Sequence, residues 1–424
     1  MNIDDEVMSV SISLFSSSGI GDLGIEYGCN IPVIISAELL PERVSLIQHN
    51  YPKCKVIEGD ILETKSDIIL SSKKILDGKR PLLMTLSPPC QGMSTTAAGL
   101  WSNQVKKGKK PKHDERNKLL LPGLEIIKQL QPEYFLIENV ENMKNTIIEW
   151  KKKKPKRLIN LIKPEIGSGY DIHSFVVDFA NYQVPHTRKR LITIGKRTKQ
   201  KNTNFKLYHE GPPNWFDSGE EDNQISILKA ISYLCKPKKG DLLRQSIPLN
   251  KDHQLWISNI PKYSGKTAFL NNCIQKSCKH HEPTDSIYCS KCSKPLPRPS
   301  MEDKSTSKLR LIKGRASTYK RMPPHVPAKT ITMSSGVPSS DNNIHYSQNR
   351  VLNLKEVMVL TTFCNIENKA KNIVSDYPWH GKYDFSFAME DEDYLIQKNI
   401  IRQSLGESIP PLAMQRMIKS LLKW

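Results

Sequence analysis

The feature that most constrains the fold is a series of short apolar segments, each of which ends in a polar cluster. Ser9–Leu14 alternates polar and apolar residues as a strand does, and it runs into the small-residue turn Phe15–Gly21. We predict a helix from about Asp22, which makes this stretch the opening of a nucleotide-binding βαβ unit. Further strands are predicted at Val33–Glu38, Lys55–Ile57, Leu82–Leu86 and Tyr134–Ile137.

A helical pattern separates the last two strands. Leu119–Leu130 carries apolar residues at helical spacing, although Pro122 and Gly123 weaken its start. Strands that alternate with helices and end in functional residues are typical of a doubly wound α/β sheet. We therefore predict an α/β fold with a Rossmann-like sheet in residues 1–198.

The alternation of strands and helices is lost after about Gly195, where Pro and Lys become more frequent. We expect a second, smaller domain over 199–345. Helical periodicity returns near 352–360 and again near 413–422. We expect 346–399 to be a hinge and return segment, and 400–424 to pack back on the first domain.

The charge of the chain predicts a polyanionic partner. Its 424 residues contain 63 Lys and Arg against 43 Asp and Glu, a formal charge of +20. Nucleic acid is favoured over a membrane surface, because no amphipathic helix stands out and each bound phosphate releases counterions. No uninterrupted apolar run approaches the length of a bilayer span, and the chain opens on acidic residues. We expect neither a membrane span nor export.

The nine cysteines fall into two groups. Five are scattered along the chain, which indicates a reducing cytoplasm: Cys29, Cys54, Cys90, Cys235 and Cys364. The other four are grouped in two short-spaced pairs: Cys273, Cys278, Cys289 and Cys292. Such pairs suit a tetrahedral zinc held by four thiolates, with His280 or His281 as a substitute ligand. Two disulfides and unpaired thiols are the alternative interpretations.

The segment Ser87–Gly92 places a thiol, Cys90, directly after two prolines at the end of a predicted buried strand. The prolines fix the backbone, so the sulfur is presented at the functional edge of the sheet. A lone cysteine is more often an inert buried thiol, and further motifs are needed to favour a nucleophile.

With those further motifs, the chain resembles bacterial DNA (cytosine-5) methyltransferases. Pro88–Gln91 matches the nucleophile motif of that family, and Glu138–Val140 matches its second catalytic motif. Val184–Arg190 resembles the Gln-x-Arg-x-Arg motif, while Pro327–Ile331 and Gly406–Pro411 resemble two later blocks. All five blocks occur in the family's order, and the likeness covers nearly the whole chain except about 200–310.

The resemblance implies roles for the catalytic residues. The Cys90 thiolate adds to C6 of cytosine, because C5 alone is too weak a nucleophile to attack a methyl sulfonium. Glu138 donates or shares a proton at N3. Arg188 binds O2 and a neighbouring phosphate, and Arg190 is a second candidate for this role. The target base must leave the duplex to reach this site. Residues 94–113 resemble the loop that closes over DNA, and a solvated basic loop is the alternative.

The methyl donor that the resemblance implies is S-adenosylmethionine. Its pocket is assigned by resemblance to Phe15, Ser17, Gly19, Glu38, Asp60, Ile61 and Pro88, with Glu38 on the ribose hydroxyls and Asp60 and Ile61 on the adenine. Three residues depart from the family pattern: Ser17 replaces a Gly, His186 replaces a Gln and Glu407 replaces an Asn. Serine is less free than glycine to take a positive φ. Dinucleotide binding is disfavoured, because Pro-Pro-Cys has no role there.

We therefore expect a sequence-specific DNA cytosine-5 methyltransferase of a prokaryotic restriction–modification system, in which residues 199–345 recognise double-stranded DNA. The zinc knuckle in this region either contacts the DNA or only braces the domain. We expect a cytoplasmic monomer whose cognate endonuclease acts on the same site without forming a stable complex. Two alternatives remain, a tRNA cytosine-5 methyltransferase and a non-catalytic DNA-binding regulator of the same fold. The intact Cys90 and Glu138 argue against the regulator.

Overall fold

The computed structural model describes residues 6–90, 92–93, 114–149, 155–198, 211–234, 241–283, 286–312, 318–340, 342–367, 373–385 and 394–424. The predicted closing loop over 94–113 lies outside these ranges. Among the helices in them, none combines the length and apolar character that a bilayer crossing requires.

Thirteen strands are described. They are β1 (Val7–Leu14), β2 (Val33–Glu38), β3 (Lys55–Glu58), β4 (Arg80–Leu86), β5 (Tyr134–Val140), β6 (Ile147–Ile148), β7 (Lys156–Arg157), β8 (Tyr170–Asp178), β9 (Lys189–Arg197), β10 (Ser300–Glu302), β11 (Leu309–Leu311), β12 (Ile366–Glu367) and β13 (Ile373–Ser375). The five strands predicted from the sequence are all confirmed as β1 to β5. Strands β8 and β9 were not predicted.

Seven strands form one sheet in the order β3-β2-β1-β4-β5-β9-β8. Strands β1 to β5 are parallel, and β9 pairs antiparallel with both β5 and β8. The chain order reverses between β1 and β4, and in such sheets ligands bind beyond the carboxyl ends of the strands at this point. The turn Phe15–Gly21 after β1, called the donor turn below because the predicted methyl-donor residues begin there, and the Cys90 segment after β4 therefore begin at one crevice.

Ten helices are described. They are α1 (Asp22–Cys29), α2 (Pro41–Asn50), α3 (Ile61–Leu76), α4 (Leu120–Leu130), α5 (Ile162–Ile166), α6 (Ile227–Ile231), α7 (Lys251–Ser258), α8 (Leu354–Leu360), α9 (Tyr394–Glu407) and α10 (Pro411–Leu421). The helix predicted from about Asp22 and the one over 119–130 are confirmed by α1 and α4.

The sheet separates two apolar cores, and neighbouring strand residues point to opposite sides. Leu83 and Leu136 face the core shared by α1, α2 and α10, while Met84 and Phe135 face the core of α3, α4 and α5. A strand buried on both faces reads as a continuous apolar run, as these do. The predicted doubly wound α/β fold is confirmed.

The C-terminal helix α10 packs closely on α1. A Cβ atom at Gly24 would lie 2.2 Å from the carbonyl oxygen of Pro411, so only glycine allows this approach. Gln415 also donates from Nε2 to the carbonyl oxygen of Gly28 at 2.9 Å. The end of the chain is thereby fixed beside the helix that follows the donor turn.

The region beyond residue 211 is held together differently. It contains short helices, the β10–β11 hairpin and a small apolar cluster around Trp256 and Tyr319. The buried Arg321 donates to the carbonyl oxygens of Ile257 and Ile260 at 3.0 Å each. A guanidinium group satisfies several buried carbonyls where regular strands are few.

The segment 346–399, expected as a hinge, contributes α8 to the core that contains α1. The rings of Tyr377 and Trp379 stack in this core with centroids 5.2 Å apart. At the start of α8, buried Glu356 pairs with Arg350 at 2.6 Å.

Candidate active site

The turn that follows β1 takes an unusual backbone course. Phe15, Ser17 and Gly19 all have positive φ, at 58°, 53° and 75°. The Ser17 N–H donates to Glu38 Oε2 at 2.8 Å, which ties the turn to the end of β2. A Cβ atom at Gly19 would lie 2.8 Å from a ring carbon of Tyr51, whose hydroxyl donates to the Gly19 carbonyl at 2.6 Å.

Ser17 therefore adopts the positive φ that the family's glycine would adopt more readily. A non-glycine residue in this region costs about 1–2 kcal/mol, and such strain collects at functional sites. The Oγ atoms of Ser17 and Ser18 are buried and accept or donate no hydrogen bond within the described structure. The turn thus presents polar atoms at the sheet crevice.

Glu38 closes the same crevice from β2. Its carboxylate is 8% exposed and accepts from the Leu40 N–H at 3.2 Å as well as from Ser17. Burial raises the pKa of Glu38, and the Leu40 amide and the Arg43 guanidinium oppose that rise. Backbone amides therefore fix both carboxylate oxygens, Oε2 through Ser17 and Oε1 through Leu40.

The adenine residues expected from the sequence lie at the start of α3. Asp60 is the N-cap of this helix, and its Oδ1 accepts from the Leu62 N–H at 2.9 Å. Ile61 is buried in the neighbouring core. Asp60 therefore has a capping role in the described structure.

Cys90 follows β4, and Glu138 lies on the neighbouring strand β5. The two strands are in register, with Leu86 opposite Ile137. Burial raises the pKa of the Cys90 thiol, and the charge of Glu138 raises it further, while Arg190 and Arg188 lower it. The four predicted catalytic side chains therefore share one electrostatic environment.

A buried amide connects the two motifs. Asn139 Nδ2 donates to the carbonyl oxygen of Pro88 at 3.1 Å, and its Oδ1 accepts from the Val140 N–H at 2.8 Å. Asn139 is 1% exposed. Asn139 lies inside the Glu138–Val140 motif but was not predicted as a site residue, and its amide group positions the Cys90 segment.

The two arginines of the third motif have different partners. Arg190 Nε lies 2.7 Å from Glu138 Oε1, since β9 pairs with β5 at this level. Arg188 is buried, and its terminal nitrogens donate to the carbonyl oxygens of Gly406 and Glu407 at 2.8 Å each. Burial and the charge of Arg190 lower the pKa of Arg188 to about 9. Arg190 thus orients Glu138. Arg188 instead stabilises the block Gly406–Pro411, called the late block below.

A family model for the C-5 cytosine-specific DNA methylases matches residues 10–423. The chain belongs to this family. Its enzyme class, DNA cytosine-5 methyltransferase, is the one expected from the sequence, and the RNA and non-catalytic alternatives are not favoured.

Relatives of this methylase match most of its length. It is 28% identical to the Type II methyltransferase M1.HgaI of Avibacterium volantium over 97% of this chain and 98% of the relative. It is 27% identical to M.NgoPII of Neisseria gonorrhoeae over 73% of this chain and 81% of the relative.

The crystal structure of the S. pombe Dnmt2 methyltransferase has the same fold. It superposes with a TM-score of 0.53 at 14% identity and covers 98% of this chain and 99% of its own.

His186 stands where this family's motif usually has glutamine. It is 1% exposed, and neither ring nitrogen has a hydrogen-bond partner in the described ranges. Burial and the charges of Arg188 and Arg190 lower the pKa of His186 to about 3, so the ring is neutral. The backbone beside it is paired, because the Thr187 N–H donates to the Ala328 carbonyl oxygen at 2.8 Å. This pairing joins the third motif to the block over 327–331.

The four clustered cysteines of this methylase meet in one place. The sulfurs of Cys273, Cys278, Cys289 and Cys292 all lie within 4.8 Å of one another. Cys273 and Cys292 approach to 3.5 Å, as do Cys278 and Cys289. The eight cysteines of the described ranges are free thiols. The alternative of two disulfides does not describe this structure.

The two histidines near the cluster have other partners. His280 Nε2 lies 3.3 Å from Glu282, and His281 Nδ1 lies 2.5 Å from Asn272 Oδ1. The fully buried Arg298 donates to the carbonyl oxygens of Asn271 at 2.9 Å and Glu282 at 3.0 Å. The loop around the four sulfurs is therefore fixed by hydrogen bonds rather than by an apolar core.

Proposed function

We propose that this methylase transfers a methyl group to C5 of a flipped cytosine in DNA, with Cys90 as the nucleophile and Glu138 as the acid at N3. The observation that carries the proposal is that Cys90 and Glu138 follow adjacent, aligned strands while Arg190 pairs with Glu138 at 2.7 Å. An arginine in this position keeps the carboxyl group fixed beside the thiol.

The chemistry follows from these groups. The Cys90 sulfur bonds to C6, and the electrons of the C5–C6 double bond move toward N3 and O2. Glu138 stabilises that charge by sharing a proton at N3. The electrons then return through C5, which bonds to the methyl group while the rest of the donor leaves as a neutral thioether. The C5 proton passes to water, and the electrons of that C–H bond form the C5–C6 double bond again as the C6–sulfur bond breaks, which releases Cys90 as a thiolate. Arg188 positions the late block, because its two terminal nitrogens are already bound to carbonyl oxygens.

The residues of the crevice fit S-adenosylmethionine. Buried Glu38 suits the ribose hydroxyls, Gly19 leaves no room for a Cβ atom, and the unpaired hydroxyls of Ser17 and Ser18 offer polar contacts. Phe15 and Pro88 border the same crevice, and Asp60 and Ile61 lie at the start of α3. The donor supplies an electrophilic methyl group to C5.

Two substitutions test the roles. Cys90→Ser should lose methyl transfer while retaining binding of DNA and donor, because an alcohol supplies no thiolate at neutral pH. Glu138→Gln should bind both ligands and lose about 10²–10⁴-fold in rate. Tritiated methyl transfer to duplex DNA and to tRNA measures both variants and the preferred substrate. Near-normal activity of Cys90→Ser would overturn the covalent mechanism.

We also propose that the four-cysteine cluster holds one structural zinc. Four sulfurs at about 2.3 Å around a tetrahedral zinc lie about 3.8 Å apart, close to the 3.5 Å of the two nearest pairs. Four thiolates leave no position for substrate, so the ion braces the second domain. Glu282 is bound to Ser290 and His280, which leaves the exposed lysines around the cluster as a basic surface for DNA phosphates.

Removing one ligand tests the zinc site. Cys289→Ser should lower the bound zinc from about one per chain and weaken specific DNA binding, while donor binding survives. Cys54→Ser is the matched control, because Cys54 packs beside the core of α1 and away from the cluster. Metal analysis and DNA titration measure both. A zinc-free wild-type protein purified without chelators would contradict the site.

We propose that residues 1–198 with 400–424 form the catalytic domain and that residues 199–345 recognise the target sequence. The relatives carry Type II methyltransferase names. These names support a role in restriction–modification. We further propose a prokaryotic, cytoplasmic monomer whose cognate endonuclease acts on the same site without a stable complex.

A further inference from the structure

One guanidinium group joins the donor crevice to the late block of the chain. Arg43, on α2, has its Nη2 atom 2.7 Å from Glu407 Oε2. Its Nη1 atom lies 3.9 Å from Glu38 Oε1. The Arg43 side chain is 13% exposed, and those of Glu38 and Glu407 are 8% and 26% exposed. The contacts connect residues that lie far apart in sequence.

Groups other than Arg43 fix the positions of both carboxylates. Glu38 accepts from the Ser17 and Leu40 amides. The backbone of Glu407 is fixed by Arg188, which donates to its carbonyl oxygen at 2.8 Å. Gly406 has no space for a side chain, since a Cβ atom there would lie 2.3 Å from the Met333 nitrogen. Arg43 therefore bridges two preformed acceptors.

The charges explain why the bridge matters. Two partly buried carboxylates share one cation, and a buried carboxylate without a partner is strongly disfavoured. Glu407 is a carboxylate at the position where the family pattern has a neutral asparagine, and it adds a negative charge beside Arg43. Arg43 compensates for that charge and, from the same guanidinium, attracts Glu38. Without Arg43, Glu38 would take up a proton or turn away from the crevice.

We propose that Arg43 is a positioning residue for the methyl donor, which keeps Glu38 ionised and aimed at the ribose hydroxyls and is itself anchored by Glu407. This inference rests on the proposed donor site. Arg43 itself does not contact the donor. It acts only through Glu38 and the ribose, so its effect on affinity should not depend on the amino-acid part of the donor.

The experiment measures donor binding by titration calorimetry for the full-length protein. Arg43→Gln should weaken S-adenosylmethionine binding by about tenfold or more, because a buried charge loses its partner. Arg43→Lys should recover part of the loss. Glu407→Gln alone should change affinity less, since Arg43 can then serve Glu38. The double variant Arg43→Gln/Glu407→Gln should bind more tightly than Arg43→Gln, because one of the two uncompensated charges is gone.

A second ligand separates this role from direct contact. 5′-Methylthioadenosine contains the ribose but lacks the amino-acid part, so Arg43→Gln should weaken its binding by a similar factor. If Arg43→Gln weakened the binding of S-adenosylmethionine but left the binding of 5′-methylthioadenosine unchanged, the proposal would be overturned. Wild-type affinity of Arg43→Gln, or no recovery in the double variant, would do the same.

Two controls isolate the cause. Lys65→Gln removes another ion pair between elements, that of Lys65 with Glu125 at 2.5 Å on α3 and α4, and should leave donor binding unchanged. Thermal unfolding without ligand shows whether Arg43→Gln remains folded. If the wild-type protein binds neither ligand, the proposed donor site fails. If it binds them and Arg43→Gln binds equally well, only the bridging role fails.

Discussion

Replacing Asp22 with asparagine should stabilise the protein above neutral pH. Asp22 is 3% exposed at the start of α1, and its Oδ1 atom accepts from the Ser13 hydroxyl at 2.9 Å. Oδ2 has no hydrogen-bond partner in the described ranges. Burial raises the pKa of Asp22 to about 7 against the bond from Ser13, and the charge of Glu26 adds to the rise.

The sign and size follow from linkage. Between about pH 4 and 7 the folded state holds this proton more tightly than the unfolded state, so stability falls as pH rises through that window. A pKa shift of about three units corresponds to about 4 kcal/mol. This cost is fully present only above about pH 7.

Asparagine keeps the oxygen that Ser13 binds and cannot ionise. The stability advantage of Asp22→Asn over wild type should grow by about 2 kcal/mol from pH 5 to 7.5. Urea unfolding followed by tryptophan fluorescence at several pH values measures the difference. A difference that stays constant with pH would refute the reasoning, because any packing effect of the substitution does not titrate.

Three further changes test other parts of the structure. Ser17→Gly should raise stability by about 0.5–1 kcal/mol in thermal unfolding, since glycine removes the positive-φ strain at the cost of a freer unfolded chain, whereas Ser17→Val should lower it. Because burial raises the pKa of Cys90, the single-turnover rate of methyl transfer should increase with pH above neutrality, and a flat profile would contradict this. Burial alone would raise the pKa of Glu356, but Arg350 and His345 lower it to about 2. Its stabilisation is therefore present above about pH 4.5 and lost toward pH 2, so Glu356→Gln should cost about 3 kcal/mol at pH 7 and less in acid urea titrations.

Local patterns were enough to predict the parallel half of the sheet. A strand buried on both faces needs a largely apolar run, and those of β2, β4 and β5 are followed by Glu38, Ser87 and Glu138 respectively. Strand β8 lies at the edge of the sheet and alternates buried with half-buried positions, and its neighbour β9 opens on an exposed lysine. The Lys189 and Arg190 that open β9 read as part of a motif rather than of a strand, and the hydrogen bonds with β5 and β8 decide their conformation.

The sequence by itself was enough to predict the proposed reacting groups, because Cys90 and Glu138 lie within short motifs at the ends of apolar strands. Which arginine serves Glu138 depended on tertiary structure. Antiparallel pairing of β9 with β5 places Arg190 on Glu138, and burial against the late block turns Arg188 toward backbone carbonyls. The bridge from Arg43 to Glu407 spans most of the chain, and no spacing rule relates the two positions. Short-range geometry fixes what a motif can do, whereas the partner of a charged side chain is set by whichever distant segment shares its low-dielectric surroundings.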